Sequence, residues 1–263
     1  MIRREADGVP YYVFETFAHQ DGIVHAVFTR LGGTSRPPYQ ALNVGRSVGD
    51  ELQAVNENHR LACEILEVSG TEVVTAWQVH GNRVAAVGES DQGTVVPETD
   101  ALITDQPGVI LMLRFADCLS IFLYDREKQI VGLGHAGWRG TSAQVAAQMV
   151  SAMIEHYGTD PADVIAGLGP AIGPCCYVVG EEVIQAIKPT LHECRSAIRQ
   201  GEDGEFYVDL WDANRQQLMN RGVKDVEMAG VCTSCHAREF FSHRADGGRT
   251  GRFAAFMGVR KPV

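Results

Sequence analysis

The sequence contains no uncharged apolar run of about eighteen residues, the length a membrane-spanning helix requires. Its beginning, MIRREADGVPYYVFE, holds two arginines with no apolar segment behind them, which excludes the usual form of an export signal. The expectation is a soluble, cytoplasmic protein with no membrane partner. A basic excess is missing too: 23 Lys and Arg stand against 33 Asp and Glu, a net charge of -10. Proteins that live on nucleic-acid backbones or anionic lipid need a basic surface, so no nucleic-acid partner is expected. A small ligand held in a local basic pocket stays compatible with that balance. Nor is there an even set of cysteines. The seven are Cys63, Cys118, Cys175, Cys176, Cys194, Cys232 and Cys235, in a chain of 263 residues too large to need stapling. Reduced thiols are expected rather than disulfides. Repeats, low-complexity tracts and an obvious linker are absent as well, which favours one domain over residues 1–263. Nothing in the sequence fixes an oligomeric state.

What is present is densest from Val109 to Thr141, VILMLRFADCLSIFLYDREKQIVGLGHAGWRGT. An apolar run from Val109 to Phe115 leads into Ala116, Asp117 and Cys118, and a second run, Leu119 to Tyr124, follows at once. Reactive polar residues thus interrupt what is otherwise buried strand. The turn Asp125-Arg126-Glu127-Lys128 reverses the chain into a third strand, Gln129 to Leu133, which delivers His135 to a glycine-rich loop. Adjacent strands would bring the cysteine and the histidine together.

Elsewhere the pattern predicts strands at Tyr11 to Phe17 and Val24 to Thr29, followed by the turn segment Arg30 to Ser35 and a second small-residue segment around Asn43. Asp50 and Gln53 form a capping pair for a helix with Leu52, Val55, Leu61, Ala62, Ile65 and Leu66 on its apolar face, stopping at Gly70. Glu72 to Val79 reads as a strand, with His80-Gly81-Asn82 turning into a partner strand, Arg83 to Val87. His80 would then sit at a strand end. Thr141 or Ser142 caps a helix with Val145, Ala146, Met149, Val150, Met153 and Ile154 at helical spacing, closed by Gly158. A short strand, Val164 to Ala166, opens into a Gly- and Pro-rich loop ending Cys175-Cys176-Tyr177; helices follow from about Glu181 and around Leu210, Ala213 and Leu218, then a strand from Glu227 to Cys232.

Three groups of residues invite a chemical reading. Gly132-Leu133-Gly134-His135-Ala136-Gly137 matches G-x-G-x-x-G between a strand and a helix, the form of a dinucleotide loop. The acidic residue such a loop needs about 20 positions on would be Glu155, inside the same helix. That argues against a dinucleotide and leaves a plain packing loop, or an anion site at the helix start with Arg139 beside it. Cys232-Thr233-Ser234-Cys235-His236 spells C-x-x-C-H, but haem attachment belongs to export compartments, and zinc would need a second pair that Cys175-Cys176 does not supply at the usual spacing. Coincidence is the preferred reading, ahead of redox or metal roles. His80, Cys118 and His135 form the third group. Each stands beside small residues at an expected strand end or loop, and spacing alone does not decide whether they meet.

Taken together, Trp77-Gln78-Val79-His80-Gly81, Ala116-Asp117-Cys118, Gly134-His135-Ala136-Gly137-Trp138-Arg139-Gly140 and Thr250-Gly251-Arg252 closely resemble the YfiH family, also called the polyphenol oxidase or laccase-domain family. The resemblance spans nearly the whole chain, with the four motifs in the same order. It implies an α/β (α+β) fold: a layered sandwich of mixed sheets flanked by helices, forming one catalytic domain with its site in a surface cleft. It also implies a metal, usually zinc, on His80, Cys118 and His135. The activity implied is phosphorolysis of adenosine, inosine, guanosine and methylthioadenosine, with adenosine deamination beside it. Copper phenol oxidation and peptidoglycan editing are the other activities associated with the family. Ser242-His243-Arg244-Ala245 departs from relatives that carry an aromatic and two arginines after the serine.

The implied chemistry fits the residues. Two His and one Cys leave a fourth tetrahedral position open, as catalytic zinc requires, with Asp117 as a candidate proton carrier. Phosphorolysis needs a phosphate aligned with C1′ of the ribose, for which Arg30, Arg139, Arg244 and Arg252 are candidates, while Asn43 and Trp138 would face sugar or base. The same His and Cys set also suits copper, but no axial methionine is assignable and the chain has no H-x-H. Without a metal, Cys118 and His135 would serve as nucleophile and base of a cysteine hydrolase.

Overall fold

The computed structural model describes residues 1–191 and 196–261, so Cys194 lies outside the described residues. Two large mixed sheets carry the fold. The first holds seven strands in the order Ile2–Ala6, Val9–Val13, Ile23–Phe28, Phe253–Val259, Ile110–Phe115, Val73–Ala76 and Val95–Val96. The second holds six: Asp225–Met228, Val164–Leu168, Leu119–Asp125, Ile130–Ala136, Ala101–Thr104 and Val84–Ala86. A small third sheet pairs Val178–Val179, Phe206–Val208 and Ile198–Gln200.

The near-continuous apolar runs of the central stretch follow from burial of both faces of each sheet. Along Ile110–Phe115, Leu111, Leu113 and Phe115 point into the layer between the sheets. Ile110 and Met112 point outwards, to the helix Leu52–Ile65 with its Ala62 and Cys63. Along Leu119–Asp125 the alternation repeats: Phe122 and Tyr124 face the other sheet. Leu119, Ile121 and Leu123 face the helices Val145–Tyr157 and Leu210–Asn220. The result is a layered sandwich, helix on sheet on sheet on helices, in agreement with the expected α/β class.

Several local expectations give way. The three strands of the central stretch are split between the sheets, so the chain crosses from one sheet to the other at Ala116–Cys118. Val73–Ala76 and Val84–Ala86 likewise belong to different sheets and do not pair as a hairpin, which makes His80-Gly81-Asn82 a second crossing. Because Val73–Ala76 and Ile110–Phe115 run parallel, both crossings leave the same end of the sandwich. Thr141 and Ser142 end a short helix, Trp138–Ser142, rather than cap the next one. Gln144, with φ 60°, breaks the chain before Val145–Tyr157, and Gly158 closes that helix as expected. Asp50 does not cap Leu52–Ile65, because its carboxylate accepts from the Asn43 side chain and the Glu51 N–H. The strand Phe253–Val259, buried on both faces at the centre of the first sheet, was not anticipated.

Phe122 is fully buried against Phe14, with ring centroids 5.0 Å apart. Phe122→Ala is expected to lower unfolding free energy by about 3–5 kcal/mol in urea titrations. Leu52→Ala, at a 59% exposed position, should stay within about 0.5 kcal/mol.

Candidate functional site

The site begins with Asp100, a fully buried carboxylate just before the strand Ala101–Thr104. It accepts the backbone N–H groups of Val79 (3.1 Å), His80 (2.9 Å) and Gly81 (2.7 Å). These bonds hold the crossing in a turn where His80 takes φ 63°, a conformation that costs a non-glycine residue about 1–3 kcal/mol. Asp100 Oδ1 also pairs with His135 Nδ1 at 2.9 Å, and the Asp100 carbonyl accepts the His135 N–H at 2.8 Å. Gln78 steadies the same segment by bonding both the N–H and the C=O of Arg114.

The crossing at Ala116–Cys118 supplies the cysteine. His135 lies opposite Ser120 in the antiparallel pair, two residues from Cys118. Asp117 has φ 85°, and its carboxylate accepts from the Thr233 hydroxyl at 2.6 Å and the Arg244 N–H at 2.7 Å. Together these contacts bring the ligand atoms of His80, Cys118 and His135 within 4.8 Å of one another. The His80 and His135 rings meet edge to face, 4.9 Å between centroids. His80 is exposed, Cys118 half-buried and His135 buried, so the group opens towards solvent on one side only.

Electrostatics couple the three. Burial alone would raise the Cys118 thiol, but the adjacent His135 and His80 imidazoles outweigh it and bring the pKa down to about 6. Burial alone would lower His135, yet the Cys118 sulfur and Asp100 carry it up to about 9. Asp100 is itself held below the usual carboxylate range, because its bonds to His135 and the backbone overcome its desolvation. A metal needs thiolate and neutral imidazole, and it would replace the proton that this pair shares. The donor set fits such an ion: two His and one Cys, a carboxylate fixing one imidazole from behind, and one open side.

The glycine loop now has a physical explanation. A Cβ on Gly134 would lie 2.3 Å from the Met149 sulfur, so the glycine lets Val145–Tyr157 pack close on the strand. A Cβ on Gly137 would lie 2.9 Å from the Cys118 sulfur, inside the site itself. Neither role concerns a dinucleotide. The long helix starts only at Val145, so no long-helix start faces the loop, and Arg139 is what remains of the anion reading.

A cleft of about 710 Å³ opens over the group. Five arginines, Arg46, Arg114, Arg139, Arg244 and Arg252, line it alongside Trp77, Trp138 and Tyr177, and Asp117 is the one carboxylate in the lining. Arg139 lies 4.2 Å from the centre of the Trp138 ring. Arg244 is steadied by the carbonyls of Cys176 and Val178, and Arg252 by those of Thr250 and Gly251. Two expected contacts are not in the lining. Arg30 is spent on the carbonyls of Gln40 and Ala237 and on Asp246, and Asn43 is fully buried, tying the Gly45 and Arg252 N–H groups to Asp50. Asp100, Arg46, Arg114 and Trp77 were missed as site residues. Two of these left a trace in the sequence: Asp100 as a charge immediately before the strand Ala101–Thr104, and Trp77 as the first residue of the first motif.

Residues 24–260 match the family model described as multi-copper polyphenol oxidoreductase laccase. The chain belongs to this family, the YfiH family. Among its relatives is purine nucleoside phosphorylase YlmD of Geobacillus stearothermophilus, 41% identical over 91% of each chain. Purine nucleoside phosphorylase YfiH of Escherichia coli is 33% identical over 90% of this chain and 93% of its own. The crystal structure of YlmD from Geobacillus stearothermophilus superposes with a TM-score of 0.93, at 40% identity and 98% coverage of both chains. In this YfiH-family chain the motifs that carried the resemblance converge on one cleft.

Asp100→Asn removes the carboxylate behind His135 while keeping its size. It is expected to weaken metal binding by about 10–100-fold in chelator competition. In metal-free protein, alkylation of Cys118 should rise through pH about 6 in the wild type. In Asp100→Asn it should rise at higher pH, since His135 loses a group that favours its charged form.

Proposed function

We propose that the chain is a purine nucleoside phosphorylase that acts as a single catalytic domain in this cleft, with zinc on His80, Cys118 and His135. Its nucleosides are adenosine, inosine, guanosine and methylthioadenosine. One observation carries the reading: a chain of net charge -10 lines the cleft over the His and Cys group with five arginines and a single carboxylate, Asp117. A reaction that must hold phosphate needs such a local excess of guanidinium. The names of the two relatives support the same assignment.

In phosphorolysis a phosphate oxygen bonds to C1′ of the ribose as the C1′–N9 bond breaks. The bond pair leaves with the purine, which takes up the proton given up by the hydrogen phosphate, giving free base and ribose 1-phosphate. Arg139, Arg244 and Arg252 bind the phosphate, the last two already oriented by backbone carbonyls, so little reorganisation is needed when charge shifts. Trp77, Trp138 and Tyr177 offer faces for base and sugar. When bound, zinc supplies Lewis-acid stabilisation of the charge that develops on the substrate. Both oxygens of Asp117 already accept hydrogen bonds, so its role becomes positioning of Cys118 in place of proton transfer. Adenosine deamination is the side activity: water adds at C6 and ammonia leaves.

A second reading has its own support. Cys118, His135 and Asp100 stand in the order of a cysteine nucleophile, its base and an orienting carboxylate, the arrangement of a cysteine hydrolase. Phenol oxidation by copper has less, since no methionine lines the cleft as an axial ligand.

Adenosine incubated with and without phosphate separates these. Adenine and ribose 1-phosphate should appear only with phosphate; inosine alone would reduce the activity to deamination, and oxidation of a phenol with neither product would overturn the assignment. His80→Ala should lower kcat/KM at least about 100-fold with an unchanged melting temperature. Arg139→Ala should raise the KM for phosphate by about 10–100-fold and leave the KM for nucleoside nearly unchanged.

A further inference from the structure

Four cysteines meet away from the His80 group. Cys175 and Cys176 sit at the end of the Gly- and Pro-rich loop, Cys232 and Cys235 in a turn after Asp225–Met228, and their sulfur atoms all lie within 4.8 Å of one another. The closest approaches are 3.5 Å for Cys175 to Cys235 and 3.4 Å for Cys176 to Cys235, and all four are free thiols. A tetrahedron with zinc–sulfur bonds of about 2.3 Å has edges of about 3.8 Å, close to this spacing. Adjacent cysteines do not match the usual pair spacing, which is why C-x-x-C-H read as coincidence. The second pair is brought in by the tertiary structure.

The backbone around the sulfurs is arranged as a ligand turn requires. The Gly173 N–H points at the Cys232 sulfur at 3.1 Å, and the Cys176 and Tyr177 N–H groups both bond the Gly173 carbonyl at 2.9 Å. Opposite, the His236 N–H bonds the Cys232 carbonyl at 3.0 Å. The two arms are joined by a bridge between Ala171 and Cys232, with the Thr233 N–H on the Ala171 carbonyl at 2.9 Å. Two tight turns thus present two sulfurs each to one point. Weak S–H contacts at a partly exposed surface would not hold such a cluster, whereas a divalent ion would.

We propose that Cys175, Cys176, Cys232 and Cys235 form a second metal site, a closed zinc tetrathiolate that clips two walls of the cleft together. Each thiol gives its proton to solvent as its bond to zinc forms. Four protein ligands leave no open position, so the site is structural. What it fixes is visible on either side. The first arm carries Ile172 and Tyr177, which line the cleft, and its Cys176 carbonyl holds Arg244. The second carries Thr233, whose hydroxyl bonds Asp117 beside Cys118.

The test uses the full chain purified under reducing conditions without added metal, with zinc counted per chain by mass spectrometry of the elements. Cys118→Ala, which removes a ligand of the first group only, should keep one equivalent. Loaded with cobalt in place of zinc, it should show the intense visible bands and thiolate charge-transfer absorption of a tetrahedral sulfur site. Cys175→Ser with Cys235→Ser should lose one equivalent and melt at lower temperature. Should that variant fail to fold, titration of Cys118→Ala with an organomercurial decides: zinc release as the four thiols react supports the site. Four thiols that react at once with no zinc released, no cobalt spectrum, or a disulfide within the cluster would overturn it. The equivalent at the four cysteines is counted apart from the one at His80, Cys118 and His135, so failure of the catalytic assignment would leave this result intact.

Discussion

The Asp100 carboxylate is the contact on which the site depends. It is fully buried, and a buried charge persists only when it is paired and hydrogen-bonded. Three backbone N–H groups and the His135 imidazole satisfy it. The same four bonds force His80 into its left-handed turn and leave the other nitrogen of His135 for Cys118. One desolvated carboxylate therefore sets the position of two side chains that lie 55 residues apart by number (135 - 80).

Topology does the rest. Two parallel strands of the first sheet both hand the chain to the second sheet at one end, and the crossings carry His80 and Cys118. Packing between the sheets cannot vary without moving both crossings, so the rigidity of the core becomes precision at the site. The surrounding arginines are held mostly by backbone carbonyls, which orient them without neutralising them. An acidic protein thereby keeps one positive cleft, where the low dielectric of the walls strengthens attraction for an anion.

Much of the fold was legible because it rests on local pattern. The paired apolar runs around Asp117 and Cys118, the helix up to Gly158 and the turn at Asp125 all appear as expected. The errors lie where tertiary contacts override local pattern. Phe253–Val259, buried on both faces, lacks the alternation that marks a strand and went unseen, while Val73–Ala76 and Val84–Ala86 were read as a hairpin because a short turn between two strands looks the same along the chain whichever sheets they join. Arg30 was expected at the phosphate and Asn43 at the sugar or base from the chemistry the resemblance implies, whereas their polar atoms are taken up by neighbouring loops.

The sequence by itself determined the central apolar runs and turns and, through four motifs in order, the family, whose resemblance implied the layered fold. Short-range periodicity and turn chemistry are written in neighbouring residues, so a single chain reveals them. Only the tertiary structure decided which distant residues meet. Asp100 joined His80 to His135, Cys175 and Cys176 came beside Cys232 and Cys235, and five scattered arginines became one cleft. Those meetings depend on where two sheets cross and pack, and no spacing along the chain records that.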